Sequence, residues 1–112
     1  MNHFSKISDA LKYIDEHLEE QLSLEMLAEK FHFSTFYFHR IFSAVVGKSL
    51  AAYVRDRRIL RAAALLYSTE KPVLEIALDC GFQSAQAFSR AFIRSFRAFR
   101  QGNIENRNVS RL

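Results

Sequence analysis

Two segments of the chain resemble each other, and this internal repeat restricts the possible folds more than any other feature of the sequence. Residues 24–42 align with residues 73–92 when one extra residue is allowed in the turn of the second copy. Each copy has a short segment of helical apolar periodicity, a turn, and a second such segment, so the chain contains two helix-turn-helix units. The matching pairs are Leu27 and Ile76, Ala28 and Ala77, Phe33 and Phe82, Phe38 and Phe88, Arg40 and Arg90, and Phe42 and Phe92.

The rest of the sequence indicates helices as well. The 112 residues include three Gly and one Pro, and no long stretch alternates apolar and polar residues, so we expect an all-α protein. Its architecture is predicted to be two helix-turn-helix subdomains joined by a long central helix. The expected divisions are a first subdomain over 1–47, a connecting helix over 48–67, a second subdomain over 68–99 and a frayed polar tail over 100–112. The predicted helices cover about 5–20, 24–31, 35–46, 49–67, 73–80 and 84–96.

Caps and turns fix the predicted helix ends. The turn position inside the repeat is Gly81 in the second copy and His32 in the first, and His is one of the non-glycine residues that reach positive φ more readily. The predicted N-caps are Ser23, Ser34 or Thr35, and Ser49, and Gly47 is expected to end the third helix.

The apolar stripes predict which side chains form the core. On the third helix the expected core residues are Phe38, Ile41, Phe42 and Val45, and on the sixth they are Phe88, Ala91, Phe92 and Phe96. Cys80 takes the repeat position of Phe31, so a packing role is favoured over a redox role.

Charge is distributed unevenly along the chain. Residues 1–34 carry three Lys and seven Asp or Glu, whereas residues 35–112 carry thirteen cations, eleven of them Arg, and five acids. A domain with a balance of +8 over its last two thirds suggests a polyanionic partner, and Arg favours bidentate contacts with phosphate or guanine. The alternative is a solvated basic face. Among the connecting-helix cations Arg55, Arg57, Arg58 and Arg61, some should pair with Asp56 or with the acidic first helix, and a minority should meet phosphate.

The third and sixth helices each present a second stripe opposite the core, and these stripes carry the functional prediction. An aromatic residue beside Arg and His is unusual on a solvated helix surface, while Gln suits adenine, Arg suits guanine and small residues permit close approach to bases. We therefore predict two DNA-reading helices. Their DNA-binding residues are Phe36, His39, Arg40 and Ser43 in the first unit, and Ala85, Gln86, Ser89, Arg90, Ile93 and Arg94 in the second.

The connecting helix has a length suited to DNA. Its ~20 residues span about 30 Å at 1.5 Å per residue, and successive major grooves on one side of B-DNA lie about 34 Å apart. A monomer could hold both reading helices in adjacent grooves and recognise an asymmetric site.

Other classes of protein have less support. There is no phosphate-binding loop, no metal-ligand cluster and no nucleophile–base pairing at motif spacing, so we expect no enzyme activity, no catalytic residues, no metal and no cofactor. No apolar run is long enough for a membrane span, and the N-terminus does not resemble a signal peptide, which predicts a cytoplasmic protein. The remaining alternative is a helical protein-interaction module, with Phe36 and Ile93 as docking anchors.

The same residues resemble a known family, the paired helix-turn-helix region of the AraC/XylS bacterial transcription regulators. The similarity covers about residues 5–99 and is strongest in IALDCGFQSAQAFSRAFIRSF at 76–96. It implies sequence-specific binding at promoters, usually activation through contact with RNA polymerase, and it places base-reading residues at Phe36, His39, Arg40, Ala85, Gln86, Ser89 and Arg90. The chain departs from the family pattern at Arg97, where a Gly is usual, and it lacks the Pro that usually follows.

Overall fold

The computed structural model describes residues 3–105, with side chains through residue 97, and this part of the chain is all helical. Six helices are joined by short turns, which confirms the predicted fold class and the long central helix. The helices are α1 (His3–Glu16), α2 (Leu24–Lys30), α3 (Thr35–Val46), α4 (Leu50–Ser68), α5 (Val73–Asp79) and α6 (Ala85–Glu105).

Serine side chains cap four of the helix starts, and three of these caps are the ones that the sequence predicts. Ser23 Oγ accepts a hydrogen bond from the Met26 amide at 3.1 Å, and Ser34 and Ser49 bond the amides three residues ahead in the same way at 3.2 Å. Each bond satisfies an amide that has no partner inside the helix. Gly47 ends α3 in the left-handed conformation with φ of 89°.

The two helix-turn-helix turns have the same backbone conformation. His32 and Gly81, which are equivalent in the repeat, have φ of 65° and 94°. The next residue in each copy donates its amide to the equivalent carbonyl, Phe33 to Ala28 at 2.8 Å and Phe82 to Ala77 at 2.9 Å. The predicted positive φ of His32 is therefore confirmed.

Two separate clusters of buried side chains stabilise the two units. The larger one joins α1, α2 and α3 to the start of α4, through Leu50 and Val54. The smaller one consists of Ala62, Ile76, Ala77, Cys80 and Phe88. The molecule is flattened, with extents of 42 × 35 × 20 Å, and its radius of gyration of 15.8 Å exceeds the ~13 Å of a compact domain of about this length.

Three of the predicted helix and tail boundaries are wrong. The first helix ends at Glu16 instead of about residue 20, because the chain tightens into a turn in which His17 donates its amide to the Ile14 carbonyl at 3.1 Å. The last helix continues to Glu105 instead of ending near Phe96. Arg97 stands where the family that the sequence resembles usually has a Gly, and no proline interrupts the segment that follows. Both features favour continuation of the helix. The predicted frayed tail is thus wrong for residues 100–105, and residues 106–112 lie outside the described part.

Three residues predicted in the core are exposed. Val46 packs against the larger cluster at the end of α3, and its neighbour Val45 is left at the surface. Phe92 and Phe96 are exposed because they line an open groove between α4 and α6, whereas Phe88, earlier on the same helix, is buried against α5.

Candidate nucleic-acid interface

The predicted stripe on α3 lies at the surface. At 100° per residue, Phe36, His39 and Arg40 lie on the side of the helix opposite Phe38 and Phe42, which are buried in the larger cluster. Phe36 is 70% exposed, His39 and Arg40 are exposed, and Ser43 is half-buried. The helix therefore shows one apolar face to the core and a mixed aromatic and basic face to solvent.

Contacts at its first turn hold α3 in a defined orientation. The Ser34 cap fixes the Tyr37 amide, and the Tyr37 hydroxyl is hydrogen-bonded to Nδ1 of His3 at 2.8 Å. The His3 ring also lies edge-on to Phe33, with centroids 5.4 Å apart. The start of α1 thus braces the start of α3, a contact between residues 34 positions apart.

Arg40 is placed to meet an anion. Its guanidinium lies over the Phe36 ring, 5.7 Å from the ring centroid. Among the described residues, no carboxylate lies within ion-pair distance of Arg40 or of its repeat equivalent Arg90. Both charges are therefore compensated by solvent in the free protein and are available to a ligand.

The predicted stripe on α6 has the same form. Gln86, Ser89, Arg90 and Ile93 are exposed on the side opposite Phe88, and Ala85 is half-buried at the start of the helix. Arg94 is exposed at the edge of the stripe, where it lines an open groove between α4 and α6.

The first turn of α6 is fixed by a serine and an aromatic pair. Ser84 Oγ accepts a hydrogen bond from the Ala87 amide at 3.0 Å. The rings of Phe82 and Phe88 pack with centroids 5.3 Å apart. A capped start and a buried aromatic anchor therefore recur in both units, and each holds its exposed stripe in place.

Most arginines of α4 make contacts within the protein. Arg57 Nε donates to the Asp15 carboxylate at 3.0 Å, Arg61 Nη2 donates to the Asp15 carbonyl at 2.8 Å, and Arg58 bonds backbone carbonyls of the turn after α1. Arg55 lies 3.8 Å from Asp56 on its own helix. The expected pairing with the acidic first helix and Asp56 is confirmed, and the double backbone contact of Arg58 is a feature that the sequence did not reveal.

The position of Cys80 decides between the packing role and the redox role considered for it. Cys80 lies fully buried in the smaller cluster, and burial raises the pKa of its thiol. A protonated, inaccessible thiol is unsuited to redox chemistry, so its packing role is confirmed. The described residues hold no cluster of three or more potential metal ligands, and none of their helices is long and apolar enough to cross a membrane.

The fold contains two helix-turn-helix units, and each unit exposes a capped helix that carries an arginine. This arrangement defines a DNA-binding protein. Comparison with known proteins identifies the family. A family model for a helix-turn-helix domain matches residues 27–99. The regulatory protein SoxS of Escherichia coli K12 is 42% identical over 96 residues, covering 86% of this chain and 90% of its own length. The right origin-binding protein of the same organism is 40% identical over 90 residues, which cover 80% of this chain and 31% of that protein.

Solved structures agree with these sequence matches. An AraC-type transcriptional regulator from Chromobacterium violaceum superposes with a TM-score of 0.78 at 30% identity, covering 84% of each chain. The DNA-binding domain of AdpA, determined in complex with a target DNA, gives the same TM-score at 29% identity and covers 92% of this chain and 96% of that one. The chain belongs to the AraC/XylS family.

Membership settles the class of function. The protein is a sequence-specific DNA-binding transcription regulator and is not an enzyme. The prediction made from the two stripes is therefore confirmed in its class, and DNA binding is favoured over the protein-interaction alternative.

Proposed function

We propose that α3 and α6 enter successive major grooves on one side of a single duplex, and that one copy of the chain reads an asymmetric promoter site. The observation that carries this proposal is the recurrence, at equivalent places, of an exposed stripe with an arginine that pairs with no carboxylate of the described residues. In this proposal Arg40 and Arg90 make the discriminating contacts, as bidentate donors to guanine.

The other residues of the two stripes have supporting roles in the proposal. Gln86 reads adenine, and the small side chains permit close approach of the helix to the bases. Phe36 and Ile93 contact thymine methyl groups or sugars. The complete proposed set is Phe36, His39, Arg40 and Ser43 from α3, and Ala85, Gln86, Ser89, Arg90, Ile93 and Arg94 from α6.

The dimensions of the protein support binding in adjacent grooves. The 19 residues of α4 span about 28 Å, and the longest dimension of the molecule is 42 Å. Both values are compatible with the ~34 Å between successive major grooves on one side of the duplex. A two-fold symmetric site and a second protein copy are then unnecessary.

Selection from random duplexes, followed by sequencing, tests the proposal. We expect an asymmetric site with two specified segments about one helical turn apart. Arg40→Ala and Arg90→Ala should each weaken binding by about 1–3 kcal/mol and relax base preference in one segment. Relaxation at the same base pair in both variants, or equal loss on every sequence, would contradict two independent readers.

Regulation through RNA polymerase completes the proposal. A regulator of this family acting in the cytoplasm, at the nucleoid, would bind beside a promoter and activate transcription by contacting the polymerase. Transcription in vitro from a promoter that carries the selected site should increase when the protein is added. If it decreases, the protein is a repressor.

A further inference from the structure

Arg58 lies where the two helix-turn-helix units approach each other. Its guanidinium donates from Nε to the Leu18 carbonyl oxygen at 2.8 Å and from Nη2 to the Glu20 carbonyl oxygen at 2.6 Å. Both carbonyls belong to the turn that follows α1, and backbone carbonyls beyond a helix end need partners from elsewhere. The connecting helix therefore supplies the cap that closes this turn of the first unit.

The second unit reaches the same carbonyl through Gly81. A Cβ atom built on Gly81 would overlap the Leu18 carbonyl oxygen and would lie 2.6 Å from Nε of Arg58. The Leu18 carbonyl oxygen thus faces the Arg58 guanidinium and the Cα of Gly81 together, and a Cα–H can act as a weak donor to such an oxygen. The turn after α1, the middle of α4 and the turn of the second unit meet at this point.

This contact explains a difference between the two copies of the repeat. The turn position needs a positive φ in both units, and His32 provides it in the first with φ of 65°. In the second unit the same position also lies against the backbone of the first unit, where a Cβ has no space. Glycine satisfies both requirements.

Each unit packs on its own end of α4 through a separate apolar cluster. Within residues 3–97, no buried residue is shared by the two apolar clusters, which end at Val54 and begin again at Ala62 on α4, and Ile59 is the one buried side chain of α4 between them. Arg58 lies between the two clusters, partly desolvated, and this burial lowers the pKa of its guanidinium from its ordinary value. Hydrogen bonds from a charged donor to carbonyls in such surroundings are stronger and more directional than neutral ones.

We propose that Arg58, the Leu18 carbonyl and Gly81 form an interlock that sets the rotation of the second reading helix relative to the first. Arg58 is then a positioning residue that determines the spacing between the two DNA segments without touching DNA itself. The proposal rests on the two-groove binding proposed above.

The test compares Arg58→Met with the full-length wild-type chain. Methionine keeps an unbranched stem and removes the donors. Arg55→Met is the matched control, because it removes the same charge from the same helix at a residue whose nearby carboxylate is its neighbour Asp56. The probes are the duplex selected by the wild-type protein and the same duplex with one to five base pairs inserted between its two segments.

Five inserted base pairs rotate one segment by about half a turn. The wild-type protein and Arg55→Met should lose at least about tenfold in affinity for that duplex. The second reading helix can then no longer bind its segment while the first is bound, so the gain from its high effective concentration is lost. Arg58→Met should bind the original duplex about tenfold more weakly, and its affinities for the two duplexes should agree within about threefold. Full spacing discrimination by Arg58→Met would overturn the proposal.

Two further measurements separate the possible failures. If the wild-type protein itself shows no spacing preference, two-groove binding is wrong, irrespective of Arg58. If Arg58→Met does not fold, as judged by circular dichroism, Arg58→Lys keeps the charge with a single donor group and should show intermediate spacing discrimination. Residual dipolar couplings of amides in α3 and α6 should fit one alignment tensor in the wild-type protein and two in the Arg58 variant. One tensor in both proteins would refute the interlock.

Discussion

Truncating equivalent residues of the two units should affect the protein unequally. Leu27 and Ile76 occupy the same repeat position, and both are fully buried, one in the larger cluster and one in the smaller. Truncation of a buried Leu or Ile to Ala costs about 2–5 kcal/mol, through lost apolar contact and the cavity that remains. The two substitutions are thus matched in position, burial and chemistry, and they differ in the size of the surrounding core.

The available stability differs between the units. At about 0.05–0.15 kcal/mol per residue, the ~36 residues from 62 to 97 would hold about 2–5 kcal/mol, and the ~52 residues from 3 to 54 about 3–8 kcal/mol. Ile76→Ala should therefore unfold the second unit while α1, α2 and α3 stay folded. Leu27→Ala should weaken the first unit without fully unfolding it.

Hydrogen exchange measured by mass spectrometry resolves the two units. In Ile76→Ala, protection should disappear from peptides of α5 and α6 and persist in peptides of α3. The same variant should keep base preference in the segment read by α3 and lose it in the other. Simultaneous loss of protection in α3 and α6, in a single cooperative transition, would refute the argument that the two cores are independent.

Three other outcomes are expected. Insertion of one alanine after Ala63 should rotate the second unit by about 100° and reduce specific affinity towards the non-specific level. Titration with the selected duplex measures this loss, and circular dichroism should still report a folded helical protein. Unchanged binding would show that the units move independently. Ser34→Ala should lower the free energy of unfolding by about 0.5–2 kcal/mol, because the Tyr37 amide loses its partner, and denaturant titration measures this; Thr35→Ala, beside the cap, is the control. The Cys80 thiol should react with a thiol reagent at pH 8 much more slowly in the native than in the unfolded protein. Burial raises the pKa of this thiol above its ordinary 9.0, so the folded state retains the proton and the free energy of unfolding should fall as pH rises past about 9; equal labelling rates would contradict this.

The sequence determined the helical content, the repeat and the two exposed stripes. These features depend on residues three or four positions apart on one helix, such as Phe38 and Phe42 on one face and Phe36 and Arg40 on the other. The positive φ of His32 was also predictable, because its repeat equivalent is Gly81.

The sequence did not indicate how far along α6 the apolar face is buried. Phe92 and Phe96 carry the periodicity of core residues, yet their burial depends on whether another element covers them. In the structure both side chains line an open groove between α4 and α6 and stay exposed. Periodicity indicates which face of a helix is apolar, but it does not give the extent of the neighbour that packs on it.

Tertiary structure alone decided what Arg58 does among the arginines of α4. The sequence predicts that some of them pair with the acidic first helix, and Arg57 with Asp15 fulfils this. The partners of Arg58, however, are backbone carbonyls 40 and 38 residues away. Every residue carries a carbonyl, so no side-chain pattern marks those of Leu18 and Glu20 as partners. They become acceptors because α1 ends early, at Glu16, and the following turn meets α4 beside Gly81, a placement that packing of the whole chain creates.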